Sequence, residues 1–198
     1  MKEISDIMAE NRDHLIEMDS IVGDGDLGLT MGDGFKAAYE KVLDGSVTDA
    51  GKLLYQAGKA MASAVPSTMG TLMASGLMQA GKVLKGTETL ENADVAKLFE
   101  AYEAGVANRG KAKVGEKTFI DGIHPAVESL NAAAASGASL EEMAAGAVKA
   151  AEDGFKNTTT MLAVHGRAAT RGEASRSLED PGAYVAVLIM KAFEKSTK

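Results

Sequence analysis

The sequence predicts an all-α fold on three observations: 34 Ala with 22 Gly and 11 Met, an aromatic content of only 5 % with 3 Pro, and apolar residues spaced by three and four along most of the chain. Ala has the highest intrinsic helix propensity and small side chains let helices pack closely, whereas sheets favour β-branched and aromatic residues. A hydrophobic content of 45 % with 25 % charged residues is that of a globular chain rather than a disordered one. The length of 198 residues suits one domain.

Spacing of three and four buries one face of a helix, and it places helices near residues 3–18, 30–43, 48–63, 69–84, 92–109, 119–135, 139–157 and 181–195. Val95, Leu98, Phe99, Tyr102 and Val106 form the stripe of the fifth. Leu140, Met143, Ala147, Val148, Ala151 and Phe155 form that of the seventh, and Ser139 followed three residues later by Glu142 is a capping box at its start. The last helix contains the apolar run 184–190, which has strand character; a lone strand has no partner here, so the run is read as buried helix. Gly and polar residues collect at 19–30, 64–71, 110–118 and 164–182, which are the loops. No linker, low-complexity tract or repeat divides the chain, so residues 1–198 read as a single domain. Helices that alternate up and down bring alternate loops to one end, where several can build one site. A loop as long as the last is usually functional.

Net charge is −7 with a pI near 5.1, so nucleic acid and anionic membrane faces are repelled and drop out as partners. The absence of Cys removes disulfides, thiolate metal sites and cysteine nucleophiles. Met1-Lys2-Glu3-Ile4 opens no apolar leader, and no run of about 18 apolar residues spans a membrane. A cytoplasmic protein is expected.

Residues 19–28 hold three Asp and three Gly: Asp19, Gly23, Asp24, Gly25, Asp26 and Gly28. Asp and Gly are ordinary turn residues, and a solvated turn is the plain alternative. Two carboxylates about 4 Å apart, however, repel by roughly 4 kcal/mol at an effective dielectric of 20, and a bound cation relieves that. Mg²⁺ takes oxygen ligands from one or two carboxylates and completes its shell with water and substrate phosphates. Gly23-Asp24-Gly25-Asp26-Leu27-Gly28 fits the spacing of a dinucleotide loop but follows no strand. As a calcium loop from Asp24 it would need Glu at Phe35. Neither the lysine at Gly51-Lys52 nor those at Gly58-Lys59, Gly81-Lys82 and Gly110-Lys111 is followed by Ser or Thr, so no P-loop exists.

Asp19 with Gly23-Asp24-Gly25-Asp26, Gly115-Glu116-Lys117-Thr118-Phe119-Ile120-Asp121, Gly166-Arg167-Ala168 and Asp180-Pro181-Gly182-Ala183 resemble, in order and over nearly the whole chain, the nucleotide-binding L subunit of dihydroxyacetone kinases. The resemblance implies a closed barrel of eight antiparallel helices whose loops at one end hold ADP or ATP through Mg²⁺, two ions being expected. It implies a separate ketose-binding K subunit as partner, and in some systems a phosphocarrier subunit that recharges bound ADP. Asp19, Asp24 and Asp26 match the metal-ligating aspartates. Backbone contacts to phosphate fall on Leu27, Gly28, Leu29 and Thr30, at a helix N-terminus that welcomes anions. Many family members have His and Asn where this chain has Leu27 and Thr30.

By the same resemblance, 65–71 stands in place of a Gly-Gly-x-Ser-Gly loop, with Thr68 or Thr71 offering a hydroxyl; as structure alone, Thr68 is an N-cap. Met69 and Phe119 flank the adenine or belong to the core. Gly110 lies near the nucleotide, Glu116 replaces a family Asp, and Asp180, Pro181 and Gly182 close over the nucleoside. Arg167 contacts the phosphates and stabilises transition-state charge, a task suited to a guanidinium that is always charged. Lys117 has a surface lysine as its plain reading, and Asp121 a first-turn acid. Arg171 and Arg176 receive no definite role, and His14, His124 and His165 match no family position. Phosphoryl transfer needs chiefly positioning and charge stabilisation, which this set supplies. The expected function is a phosphotransferase subunit acting on dihydroxyacetone or a related short ketose; the alternative is a non-catalytic nucleotide and Mg²⁺ sensor.

Overall fold

The structure, a computed structural model, describes all 198 residues. It is all-helical: α1 (Lys2–Glu10), α2 (Arg12–Val22), α3 (Leu27–Val42), α4 (Ala50–Ala64), α5 (Thr68–Val83), α6 (Asn92–Gly110), α7 (Phe119–Ala135), α8 (Leu140–Asn157) and α9 (Pro181–Ser196). Two 3₁₀ segments, Thr158–Thr160 and Ala168–Ser175, lie between α8 and α9.

Six of the eight expected helices appear within a residue or two of their expected bounds. The expected first helix, 3–18, is two helices broken at Asn11, whose side-chain amide donates to the Ile7 carbonyl at 2.8 Å and so competes with the helix ladder. The loop expected at 19–30 shrinks to 23–26, because α2 runs on to Val22 and α3 starts at Leu27. Asp19 therefore stands on a helix. The capping box at Ser139 is present, with Glu142 N–H donating to Ser139 Oγ at 3.2 Å and Ser139 N–H to Glu142 Oε2 at 2.8 Å. The run 184–190 is buried helix within α9.

From α3 to α9 each helix packs on the next, α9 returns to α1 and α1 to α3, so the layer closes on itself. Its interior is one cluster of 36 buried apolar residues contributed by all nine helices. Met8, Met31, Met61, Met73, Met143 and Met190 are among its fully buried side chains, and their flexible thioethers fill the gaps that so many Ala and Gly leave. Gly51 meets Gly81 and Leu84 while Gly58 meets Ala74 and Leu77, so α4 and α5 run antiparallel; Gly105 on Ser75 and Gly110 on Leu72 repeat this for α5 and α6. Gly34 on Met61 and Val65, and Gly182 on Phe119, complete the pattern. The N-termini of α3, α5, α7 and α9 consequently gather at one end, with the 23–26 turn and the 158–180 segment.

The α4–α5 contact depends on missing side chains. A β-carbon on Gly81 would lie 2.6 Å from the Gly51 carbonyl oxygen and 2.7 Å from the Tyr55 nitrogen, whereas one on Gly32 of α3 would meet nothing within 4 Å. Gly→Ala in an open helix gains about 0.5–1 kcal/mol, and overpacking costs about 1–3 kcal/mol. Gly32→Ala is therefore expected to raise the midpoint of urea unfolding and Gly81→Ala to lower it. Equal shifts of one sign in both would contradict this packing.

Candidate functional site

The turn between α2 and α3 is shaped so that three carboxylates meet. Gly25 has φ +74°, in the left-handed region, and a β-carbon there would sit 2.5 Å from Ser20 Oγ. A β-carbon on Gly23 would collide with Asp19 Oδ1, so glycine is what lets that carboxylate lie across the turn. Asp19 Oδ2 accepts the Leu27 N–H at 3.2 Å, the first orphan donor of α3. Asp26, at the N-cap position, caps nothing, and its carboxylate stays with the others. Oxygens of Asp19, Asp24 and Asp26 all lie within 4.8 Å of one another. Partial burial, then the charges of Asp24 and Asp19, hold the Asp26 carboxyl above its ordinary range, against the pull of Arg167. Arg167 reaches this turn from the far loop, its Nη2 2.6 Å from Asp24 Oδ2. The backbone N–H groups of Gly28 and Leu29 in the first turn of α3 take no partner within the fold.

The long segment that carries Arg167 is cross-tied. Lys117 is 3 % exposed, not a surface lysine, and its Nζ donates to the carbonyls of Thr158 at 2.7 Å, Arg176 at 3.1 Å and Leu178 at 2.5 Å. Arg176 Nη1 donates to the Thr160 carbonyl at 3.0 Å, and Ala163 N–H to Ser175 Oγ at 3.1 Å. Glu116 Oε2 lies 2.6 Å from His165 Nε2, a pair that lowers the Glu116 pKa. Lys117 and the tie at His165 were not legible as partners, since they lie 41 to 61 and 49 residues from the groups they hold. These ties hold the segment together along its length, with its Arg167 end over the acidic turn.

The DAK2 domain family model matches residues 21–195, most of the chain. The chain belongs to the DAK2 domain family. It is 31 % identical to the ADP-binding subunit DhaL of the PEP-dependent dihydroxyacetone kinase of Escherichia coli, over 98 % of this chain and 92 % of that protein. Against the L-erythrulose kinase of Pectobacterium atrosepticum it is 32 % identical, over 94 % of this chain but only 32 % of that protein. The dihydroxyacetone kinase of C. freundii shares the fold, with a TM-score of 0.75 at 23 % identity across 98 % of this chain and 33 % of that one; a structure of that kinase with AMP-PNP and Mg²⁺ matches equally.

In this DAK2 domain the other expected residues divide between the rim and the interior. Thr68 is exposed and Met69 half-buried at the start of α5, with Gly110 opposite at the end of α6. The cap of α5 is Ser67 rather than Thr68, its Oγ accepting the Gly70 N–H at 3.0 Å. Phe119 is 3 % exposed, with its ring 6.2 Å from that of Tyr102, so it is a core residue here. Leu27 and Thr30 are buried side chains, at 4 % and 6 % exposure, while Leu29 faces out. Asp121 is buried and accepts the N–H groups of Thr118 and Gly115, which makes it the structural acid expected. Arg171 is exposed, and His124 pairs with Glu103 at 2.7 Å. A surface groove on α4, α5 and α6, lined by residues such as Tyr55, Lys82, Asn108 and Arg109, includes none of the expected site residues.

Asp180 is 8 % exposed and caps α9, accepting the Ala183 N–H at 2.7 Å, while Pro181 occupies the first helical position and Gly182 packs on Phe119. Burial pushes the Asp180 carboxyl from 3.8 up to about 7, its cap bond and Lys117 pulling it back and Asp121 adding to it. Between those values the folded chain binds more protons than the unfolded one, so this group's contribution to stability is present at low pH and is lost as pH rises to about 7. Asp180→Asn keeps a good cap and removes the titration. From pH 5 to pH 8 the wild type is expected to lose about 2–3 kcal/mol relative to the variant in denaturant titrations; parallel profiles would contradict the buried carboxyl.

Proposed function

We propose that this DAK2 domain is the ADP- or ATP-binding, Mg²⁺-dependent subunit of a dihydroxyacetone-kinase-like phosphotransferase. On this reading it passes the γ-phosphoryl group to dihydroxyacetone or a related short ketose held on a separate K subunit. The observation that carries the reading is the acidic turn: three carboxylates within 4.8 Å, beside a helix N-terminus and under an arginine. Hard oxygen donors without Cys or His fit Mg²⁺, and Asp19, Asp24 and Asp26 would hold it. When bound, the ions supply the positive charge that lets a carboxylate turn and a polyphosphate share one place.

The chain's own groups supply the rest. The unpartnered N–H groups of Gly28 and Leu29 and the positive end of α3 are donors for phosphate oxygens. Arg167 exchanges Asp24 for phosphate and stabilises charge during transfer. Thr68, Met69, Gly110 and the backbone of Asp180, Pro181 and Gly182 line the nucleoside side, with Phe119 as the core beneath. Four of the eight exposed large apolar side chains stand at this end, Ile21 and Leu29 on the helix turns beside the 23–26 turn and Val114 and Val164 in the loops, which supports docking of a partner there. Matches over 92 % and 91 % of PEP-dependent ADP-binding subunits support a phosphocarrier as the donor that recharges bound ADP. The L-erythrulose kinases among the relatives support a short ketose acceptor. No helix is long and apolar enough to cross a membrane.

Isothermal titration with Mg²⁺ and ADP tests the site. Asp24→Ala and Asp26→Ala are expected to weaken binding by more than the roughly 10–100-fold that loss of an outer-shell partner costs; unchanged affinity in both sinks the reading. Arg167→Ala separates transfer from sensing: with a K subunit and ketose, phosphorylation is expected to fall by about 10³-fold while nucleotide still binds. Undiminished transfer would remove Arg167 from the chemistry.

A further inference from the structure

We infer that Lys117 is a positioning residue: its buried ammonium clamps both ends of the 158–178 segment and thereby holds Arg167 against the acidic turn. The meaning given to Arg167 rests on the function proposed above; the clamp itself rests on geometry alone.

A lysine ammonium has three donors and no acceptor, and here each donor has one carbonyl. Thr158 lies at the entry of the segment, and Arg176 and Leu178 lie at its exit. One charge therefore closes the 21 residues 158–178 at their base, taking the Arg176 and Leu178 carbonyls, which no backbone N–H meets, together with that of Thr158, which also accepts the Met161 N–H. Inside that closure Arg176 binds the Thr160 carbonyl and Ser175 binds Ala163, so the two limbs stay together toward the tip. The neighbouring Glu116 ties His165, two residues before Arg167. Both ties come from the α6–α7 turn, which α7 anchors through its Thr118–Asp121 capping box.

The backbone at Lys117 points the same way. Its φ is +59°, a left-handed conformation that disfavours any residue with a β-carbon and that glycine adopts freely. Burial of the ammonium, which lowers its pKa, adds a second cost. A position that carries lysine against both is one whose side chain has a task. The Arg167 side chain is 69 % exposed and its ion pair is with Asp24, so its place over the turn is set by the loop that carries it.

Lys117→Met keeps the stem and removes the donors. By hydrogen exchange, residues 159–178 are expected to exchange at least tenfold faster while α3 to α6 keep their protection. Mg²⁺-ADP affinity is expected to fall about tenfold, and in an Arg167→Ala background the same change is expected to have no further effect, because the clamp acts through that arginine. Unchanged exchange in 159–178, or affinity losses that add, would overturn the inference. If the parent chain binds no Mg²⁺-ADP, the proposed function fails, yet the exchange experiment still decides the clamp. Should Lys117→Met not fold, Lys117→Gln, which keeps a polar donor on a shorter, uncharged stem, is read by the same two measurements.

Discussion

Like charges kept together are the constraint on which this molecule turns. Asp19, Asp24 and Asp26 would separate in a free chain, and the fold denies them that. Asp19 is fixed by α2 and Asp26 by the start of α3, and Asp24 sits between them in a tight turn whose glycines lie against Asp19 and Ser20. What opposes the repulsion without a ligand is modest: one arginine, largely solvent-exposed, and the positive end of α3. Neither satisfies three carboxylates. This turn concentrates negative charge beyond its local compensation; on the proposed reading a cation relieves it, and the unpartnered amides of α3 take the anion that comes with the cation.

The barrel and the loops divide the labour accordingly. Below the site, glycine and alanine bring α4, α5 and α6 into backbone contact, and methionine fills what remains, giving a rigid ring of helix ends. Above it, the longest loop has no helix partner of its own and is held by side chains reaching into its backbone. Buried Lys117, Ser175 and Asp180 are all spent on this, and each carries a desolvation cost that a purely structural loop of ordinary length would not incur.

The helices were legible because burial repeats every three or four residues, and the capping box at Ser139 because its two partners are neighbours in sequence. The acidic turn was legible because repulsion is a property of the residues themselves. The break at Asn11 is a local contact, its amide on the Ile7 carbonyl one turn back, which apolar spacing does not register. What else escaped depends on distance through space. Lys117 reads as a surface lysine until the 158–178 backbone is folded over it, and for Phe119, read as adenine neighbour or core, the Tyr102 ring beside it supplies the core contact. Ser67 and Thr68 are equally good caps in composition, and only backbone geometry chooses Ser67.

The departures from the family pattern can be weighed by where their side chains go. Leu27 and Thr30 replace residues able to hydrogen-bond, yet both point into the protein, while the amides that face the acidic turn belong to the backbone and do not depend on side-chain identity. Ser67 replaces a glycine and in return fixes the first turn of α5 by its cap, so the loop gives up conformational freedom and gains a defined helix end. A site built on carboxylates, helix ends and one clamped arginine tolerates such changes, because none of these elements is a side chain that the departures remove. Leu27 and Thr30 then matter through packing of α3 against the core, and Asp19, Asp24, Asp26 and Lys117 through charge.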